Sequence, residues 1–255
     1  MFSVLLTKVS TLYDRFVPYC VRHRRNVHLQ KQPDDFPERS RFCRICQNLS
    51  QSIQRIRYFM VSSLCETSSF GLIDSFPCAL CHPIRNLRAS LLSEVANIGY
   101  NATKKIHYYE VKFSVLVSDR GFPLDYVVTS ASVYDSQVAF ELLEHSSIPL
   151  IYGDKGYIGK QVKKELANCG ITLISQLRKN MADYSWFENY KISRLRKPIE
   201  TVFSSLEQFG IENLRCRNLR ALQFRVEAIL LIYSLMLENS QNEFGLSLKY
   251  SKAYA

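Results

Sequence analysis

Arg194-Leu195-Arg196-Lys197-Pro198-Ile199-Glu200-Thr201-Val202-Phe203 sets a single acid among basic residues at the head of an amphipathic run. Ile199, Phe203, Leu206 and Phe209 recur at spacings of three and four, the period of a helix. Glu200 therefore stands beside the apolar face and not opposite it. A carboxylate there is either a solvated helix residue or a metal ligand aimed at a cleft. Two acids upstream weigh for the second. Asp74 closes Phe70-Gly71-Leu72-Ile73, and Asp154 closes Pro149-Leu150-Ile151-Tyr152-Gly153, both apolar and strand-like. Apolar strands ending in Asp, followed by a helix carrying Glu, are what a two-metal phosphoryl-transfer site requires.

The chemistry dictates the residue types. Mg²⁺, or Mn²⁺ in its place, is a hard ion that takes oxygen ligands. Two such ions about 3.5–4 Å apart activate the attacking oxygen and stabilise the leaving one in an in-line displacement at phosphorus. Asp74, Asp154 and Glu200 come from three different elements, so they can hold both ions and leave positions open for a substrate phosphate. No covalent nucleophile is needed, and His82 and His107 read as structural.

Composition bounds the rest. A chain of 255 residues, 47% hydrophobic, can bury one large core or a core with a small accessory domain. The net charge of +10 is uneven: +5 over residues 1–50, +1 over 51–190 and +4 over 191–255. Basic flanks suit a phosphate backbone, with surface solubility as the bland alternative. The longest apolar stretch near the C-terminus, Ala228 to Leu237, is too short to cross a bilayer and reads as a buried helix. No signal peptide is evident, because Lys8 and Arg15 interrupt the N-terminal apolar residues. The eight cysteines are then expected to stay reduced in a cytoplasm. Two pairs, Cys43-Arg44-Ile45-Cys46 and Cys78-Ala79-Leu80-Cys81-His82, have zinc-ligand spacing, but neither lies in a glycine-rich knuckle. They read as structural thiols, with zinc the alternative.

The order of elements predicts the fold. Residues 1–30 read as helical and basic, 31–38 as a linker, and 39–64 as a helix. Strands are expected over 69–76, 106–118, 122–131, 148–153 and 171–177, with Asp119-Arg120-Gly121 as a hairpin turn. Residues 77–105 read as irregular, since Asn97, Gly99 and Asn101 are turn residues. Helices are expected at 136–145 and 159–168, the latter stopped by Gly170, and over most of 190–238. A meander of three strands, then helix, strand, helix, strand and further helices is the order of a ribonuclease-H-like α/β fold with a mixed five-stranded sheet. The expected domains are a basic helical region over 1–64, a catalytic core over 65–238 and a flexible tail over 239–255.

Several strings then become recognisable in order: Ile73-Asp74-Ser75-Phe76-Pro77 with Cys81-His82, Ile98-Gly99-Tyr100, Lys104-Lys105, Gly153-Asp154-Lys155-Gly156-Tyr157, and Arg196-Lys197-Pro198-Ile199-Glu200-Thr201-Val202-Phe203. With Phe36-Pro37-Glu38-Arg39-Ser40-Arg41-Phe42, they resemble the DDE transposases of bacterial insertion sequences, most closely the insertion-sequence family numbered 982. The resemblance covers about residues 36–235. It implies a metal-dependent strand transferase acting on double-stranded DNA, both element ends and target, as a homodimer when active, with no membrane involved. Asp74, Asp154 and Glu200 carry over as the catalytic metal ligands of two Mg²⁺ or Mn²⁺ ions. Arg196 matches the Arg of a related Tyr-Arg-Glu-Lys signature. It is expected one helical turn before Glu200 on the same face, clamping a DNA phosphate. The signature's Tyr would fall at Ser193 and its Lys at Glu207, two departures. Lys197, Lys155, Tyr157, Lys104 and Lys105 are the further DNA-contact candidates, with plain solvent exposure as the alternative for Lys155 and Tyr157. Relatives carry a longer helical region before the Phe-Pro string, so this chain reads as a shortened copy.

Asp135, in Ser132-Val133-Tyr134-Asp135-Ser136, is expected to cap the following helix, with support of the active site as the alternative. Two other functions stay open: a nuclease of the same fold that hydrolyses DNA without joining it, and an inactive DNA-binding remnant of a transposase.

Overall fold

A computed structural model describes residues 37–101, 105–214 and 216–244. The expectations for residues 1–30, for Lys104 and for the last eleven residues lie outside the described residues.

In place of one helix over 39–64, the chain forms α1 (Arg39–Asn48) and α2 (Ser50–Leu64), joined at Leu49. Then follow β1 (Gly71–Ala79), a 3₁₀ turn at Pro83–Arg88, β2 (Asn97–Asn101), β3 (Ile106–Ser118) and β4 (Pro123–Ser130). The second half alternates: α3 (Asp135–Leu143), β5 (Leu150–Gly153), α4 (Lys160–Asn168) and β6 (Thr172–Ser175). Among the described residues three helices follow: α5 (Trp186–Leu195), α6 (Lys197–Gln208) and α7 (Leu219–Phe244). α7 continues beyond 238, where the tail was expected to begin. Among the described residues no helix is long and apolar enough to cross a membrane.

β4 pairs antiparallel with β3, β3 antiparallel with β1, β1 parallel with β5, and β5 parallel with β6. An antiparallel meander that runs into two parallel strands through helical crossovers is the ribonuclease-H-like arrangement. Among the described residues the sheet has six strands and not five. β3 is long enough to be paired twice along one edge: Ile106 to Glu110 face β2, and Val111 to Val117 face β4. The turn-like Asn97, Gly99 and Asn101 form a strand because that overhang offers them a ladder. Gly99 fits there because a Cβ would strike the Glu110 side chain and Ala131. Gly121 and Gly170 take positive φ, 90° and 79°, at the hairpin turn and the helix stop the sequence predicts.

Alternation along β1 sends neighbours to two cores. Leu72, Phe76 and Cys78 point to the core shared with Val61 of α2, Ile199, Val202 and Leu206 of α6, and much of α7. Ile73 points to the opposite core with Ala139, Leu142 and Leu143 of α3 and Leu166 of α4. The region before β1 is thus built into the first core. Arg57 of α2 strengthens the join. It is fully buried, pairs with Glu227 of α7 at 2.7 Å, and donates to the carbonyls of Pro123 (3.1 Å) and Leu124 (2.9 Å).

Candidate active site

Asp74 sits in the middle of β1 and shares the face of Leu72 and Phe76, the face against which α6 packs. Phe76 meets Phe203 of α6 edge-on at 4.9 Å. Asp74 therefore opens toward the helix that carries Glu200. Asp154 directly follows β5, the parallel neighbour of β1. Its extended backbone lets its carboxylate accept the Gly156 N–H at 2.8 Å, which starts the 3₁₀ turn Lys155–Tyr157. Glu200 lies exposed in the first turn of α6.

Asp74 is the electrostatic focus. Burial lifts its pKa to about 6; the Arg196 guanidinium and the Ser75 N–H pull it down, while Asp154 and Asp135 push it up. Arg196 Nη2 meets Asp74 Oδ2 at 2.5 Å, and the Ser75 N–H donates to Oδ1 at 2.9 Å. Arg196 does not occupy the position the sequence suggests. It is the junction residue between α5 and α6, not an interior residue of one helix with Glu200, and its guanidinium is turned to Asp74. Its Nε is buried with no hydrogen-bond partner.

Asp135 is not a cap. Tyr134 takes the capping position and Asp135 is the first residue of α3. Its carboxylate accepts from Ser75 Oγ at 2.9 Å and pairs with Lys112 Nζ at 3.0 Å, while Lys112 also donates to the Val133 carbonyl. Ser75 and Lys112 project from the sheet face opposite Asp74, so Asp135 braces β1 from behind. Gly156 fits between the acids: a Cβ there would lie 2.7 Å from Asp135 Oδ2 and 3.0 Å from Asp154 Oδ1.

Tyr157 is unavailable to DNA, against expectation. It is 1% exposed and fills the second core with Ile73 and Ile151. The turn that frees Lys155 to solvent drives the next-but-one side chain inward. Tyr157 Oη has no hydrogen-bond partner, and burial, reinforced by Asp135, Asp74 and Asp154, holds its hydroxyl far above the usual tyrosine range. Lys155, Lys197 and Lys105 are exposed. Among the described residues no three His, Cys, Asp or Glu side chains stand grouped closely enough to hold an ion. The cysteine pairs divide between environments: Cys46 and Cys78 are buried, Cys43 and Cys81 partly exposed.

The donor chemistry nevertheless suits a hard cation. Asp74, in the middle of β1, and Asp154, just after the parallel β5, are neighbouring carboxylates, and the more buried one already requires a positive partner, which Arg196 supplies. In the sequence, support of the active site is only the alternative for Asp135, because Ser75 and Lys112 reach it only through the folded sheet. Sequence reasoning missed the exposed aromatic face of α5, where Trp186 stacks on Tyr190 at 5.3 Å and Lys191 lies over Phe187 at 4.2 Å.

A family model described as a transposase DDE domain matches residues 66–235. Among solved structures, the chain is similar to the catalytic core domain of BIV integrase, at 10% identity and a TM-score of 0.34, over 69% of this chain and 99% of that one. No curated protein matches the sequence.

Proposed function

Because this chain belongs to the family of transposase DDE domains, we propose that it cuts DNA strands at the ends of an insertion sequence and joins the freed 3′-hydroxyl to target DNA. The observation that carries this reading is the pairing of Asp74 with Arg196 beside Asp154, on the sheet face against which the Glu200 helix packs. Within that family we assign it to the insertion-sequence family numbered 982, which the motif strings around these acids resemble. Double-stranded DNA is the partner, the acting form is a homodimer, and the compartment is the cytoplasm.

In this reading Asp74, Asp154 and Glu200 would hold two Mg²⁺ or Mn²⁺ ions, which would activate the attacking oxygen and stabilise charge on the leaving one. The chain's own residues do the positioning. Ser75, braced by Asp135 and Lys112, fixes the Asp74 carboxylate through its N–H. The Gly156 N–H orients Asp154. Arg196 neutralises Asp74 and in this reading passes to a strand phosphate, and Lys155 and Lys197 add backbone contacts at the rim.

Incubating a 3′-labelled element-end duplex with target DNA and Mg²⁺ tests the reading. Joined products support it. Cut products without joining would favour hydrolysis alone, and binding without cutting would favour an inactive remnant. Asp154→Asn should abolish all products while retaining duplex binding, since backbone contacts supply most nonspecific affinity. Equal loss of binding and cutting in that variant would point to a structural role for Asp154.

A further inference from the structure

The 3₁₀ turn Pro83–Arg88 is built in a way that neither the core nor the acidic site uses. A 3₁₀ helix has three residues per turn, so residues three apart eclipse and the turn has three ridges. Asn86 lies on the inner ridge and anchors it: its Nδ2 donates to the His107 carbonyl at 2.7 Å, and its Oδ1 accepts the Tyr109 N–H at 3.0 Å. Ile84 and Leu87 form an apolar ridge, exposed by 87% and 93%. Arg85 and Arg88 form a basic ridge beside it, also exposed, with no carboxylate partner for either among the described residues. A cleft of about 710 Å³, flanked by Arg85 and Arg217, runs alongside.

Two large aliphatic side chains almost wholly in water, on a turn locked to the sheet, keep apolar surface hydrated that burial against a partner would favourably remove from water. The basic ridge beside them selects an anionic partner. Apolar side chains flanked by arginines are the means by which proteins enter the DNA minor groove and unstack a base step. We infer that this turn is a DNA-bending wedge: Ile84 and Leu87 enter the minor groove of duplex DNA while Arg85 and Arg88 hold the flanking phosphates. The turn follows the end of β1, so the wedge is rigidly tied to the strand bearing Asp74, about 17 Å of strand beyond it. The inference rests on the proposed action on DNA and adds a second, non-catalytic contact that deforms the duplex.

The test uses the full chain carrying Asp154→Asn, so that DNA is bound but not cut, and a duplex of about 30 base pairs with a fluorophore at each end. The parent should shorten the end-to-end distance on binding. Adding Ile84→Ser with Leu87→Ser should remove that shortening and leave the salt dependence of binding unchanged. Adding Arg85→Ala with Arg88→Ala should lower the slope of log affinity against log salt by about 2, for two phosphates released. All four side chains are exposed, so melting temperatures should hold. Undiminished bending in the serine variant overturns the wedge, as does an unchanged salt slope in the alanine variant. Conversion of a dimer to a monomer by the serine pair overturns it too, since a second copy would then be the occupant. No duplex binding by the parent would instead overturn the DNA-processing function itself, and the wedge with it.

Discussion

Asp74→Asn should stabilise the metal-free protein at neutral pH while removing its chemistry. Asp74 is largely buried and its pKa stands at about 6 in place of 3.8, even with Arg196 against it. Its charged form is therefore disfavoured in the folded state by about 3 kcal/mol relative to the unfolded chain. An Asn mimics the neutral acid and escapes that cost, so the variant gains up to about 3 kcal/mol at pH 8. The sign follows from linkage. A folded-state pKa above the unfolded value means that the folded state binds the extra proton between pH 4 and 6. The contribution of Asp74 to stability is thus fullest below about pH 4 and is lost as the pH rises through 6. Guanidinium unfolding in EDTA, from pH 4 to 8, measures it. The wild type should weaken relative to the variant across that window, and Mg²⁺ should restore the wild type alone. A variant less stable than the wild type at pH 8, or two parallel pH curves, would refute the assignment of Asp74 as a strained, cation-seeking acid.

Glu227→Leu should cost about 3–5 kcal/mol, because it strands the buried Arg57 guanidinium, whereas adding Arg57→Met should recover most of that loss in the same unfolding assay. Arg196→Gln should tighten Mn²⁺ binding to the DNA-free protein about tenfold, read by electron paramagnetic resonance, because a charge-assisted bond to Asp74 no longer competes; unchanged affinity would place the ions elsewhere. Asp135→Ala should leave Lys112 without its carboxylate and loosen Ser75, lowering strand cutting more than duplex binding, with Asp135→Asn giving partial rescue. Equal effects of both substitutions on folding would reduce Asp135 to a purely structural residue.

Local sequence was enough for the skeleton. Alternation and helix period placed β1, β3, β4, β5 and β6 and the helices between them, and their order dictated the ribonuclease-H-like fold, because each buries a face that only a sheet flanked on both sides can cover. It also set Asp74 in a strand, Asp154 directly after one and Glu200 on a helix. Tertiary structure alone decided three things. β2 exists because β3 overhangs its neighbour and offers a ladder to residues that read locally as turns. Tyr157 faces inward because Asp154 accepts the Gly156 N–H and winds the next residues toward the second core. Arg196, at the junction of α5 and α6, meets Asp74, 122 residues earlier, and Asp135, at the head of α3, meets Ser75 and Lys112, because helix ends dock on the sheet without regard to separation in sequence. Residue type and local period fix which face of an element is apolar; which polar side chains meet at its ends is fixed by long-range register, and no local pattern encodes that.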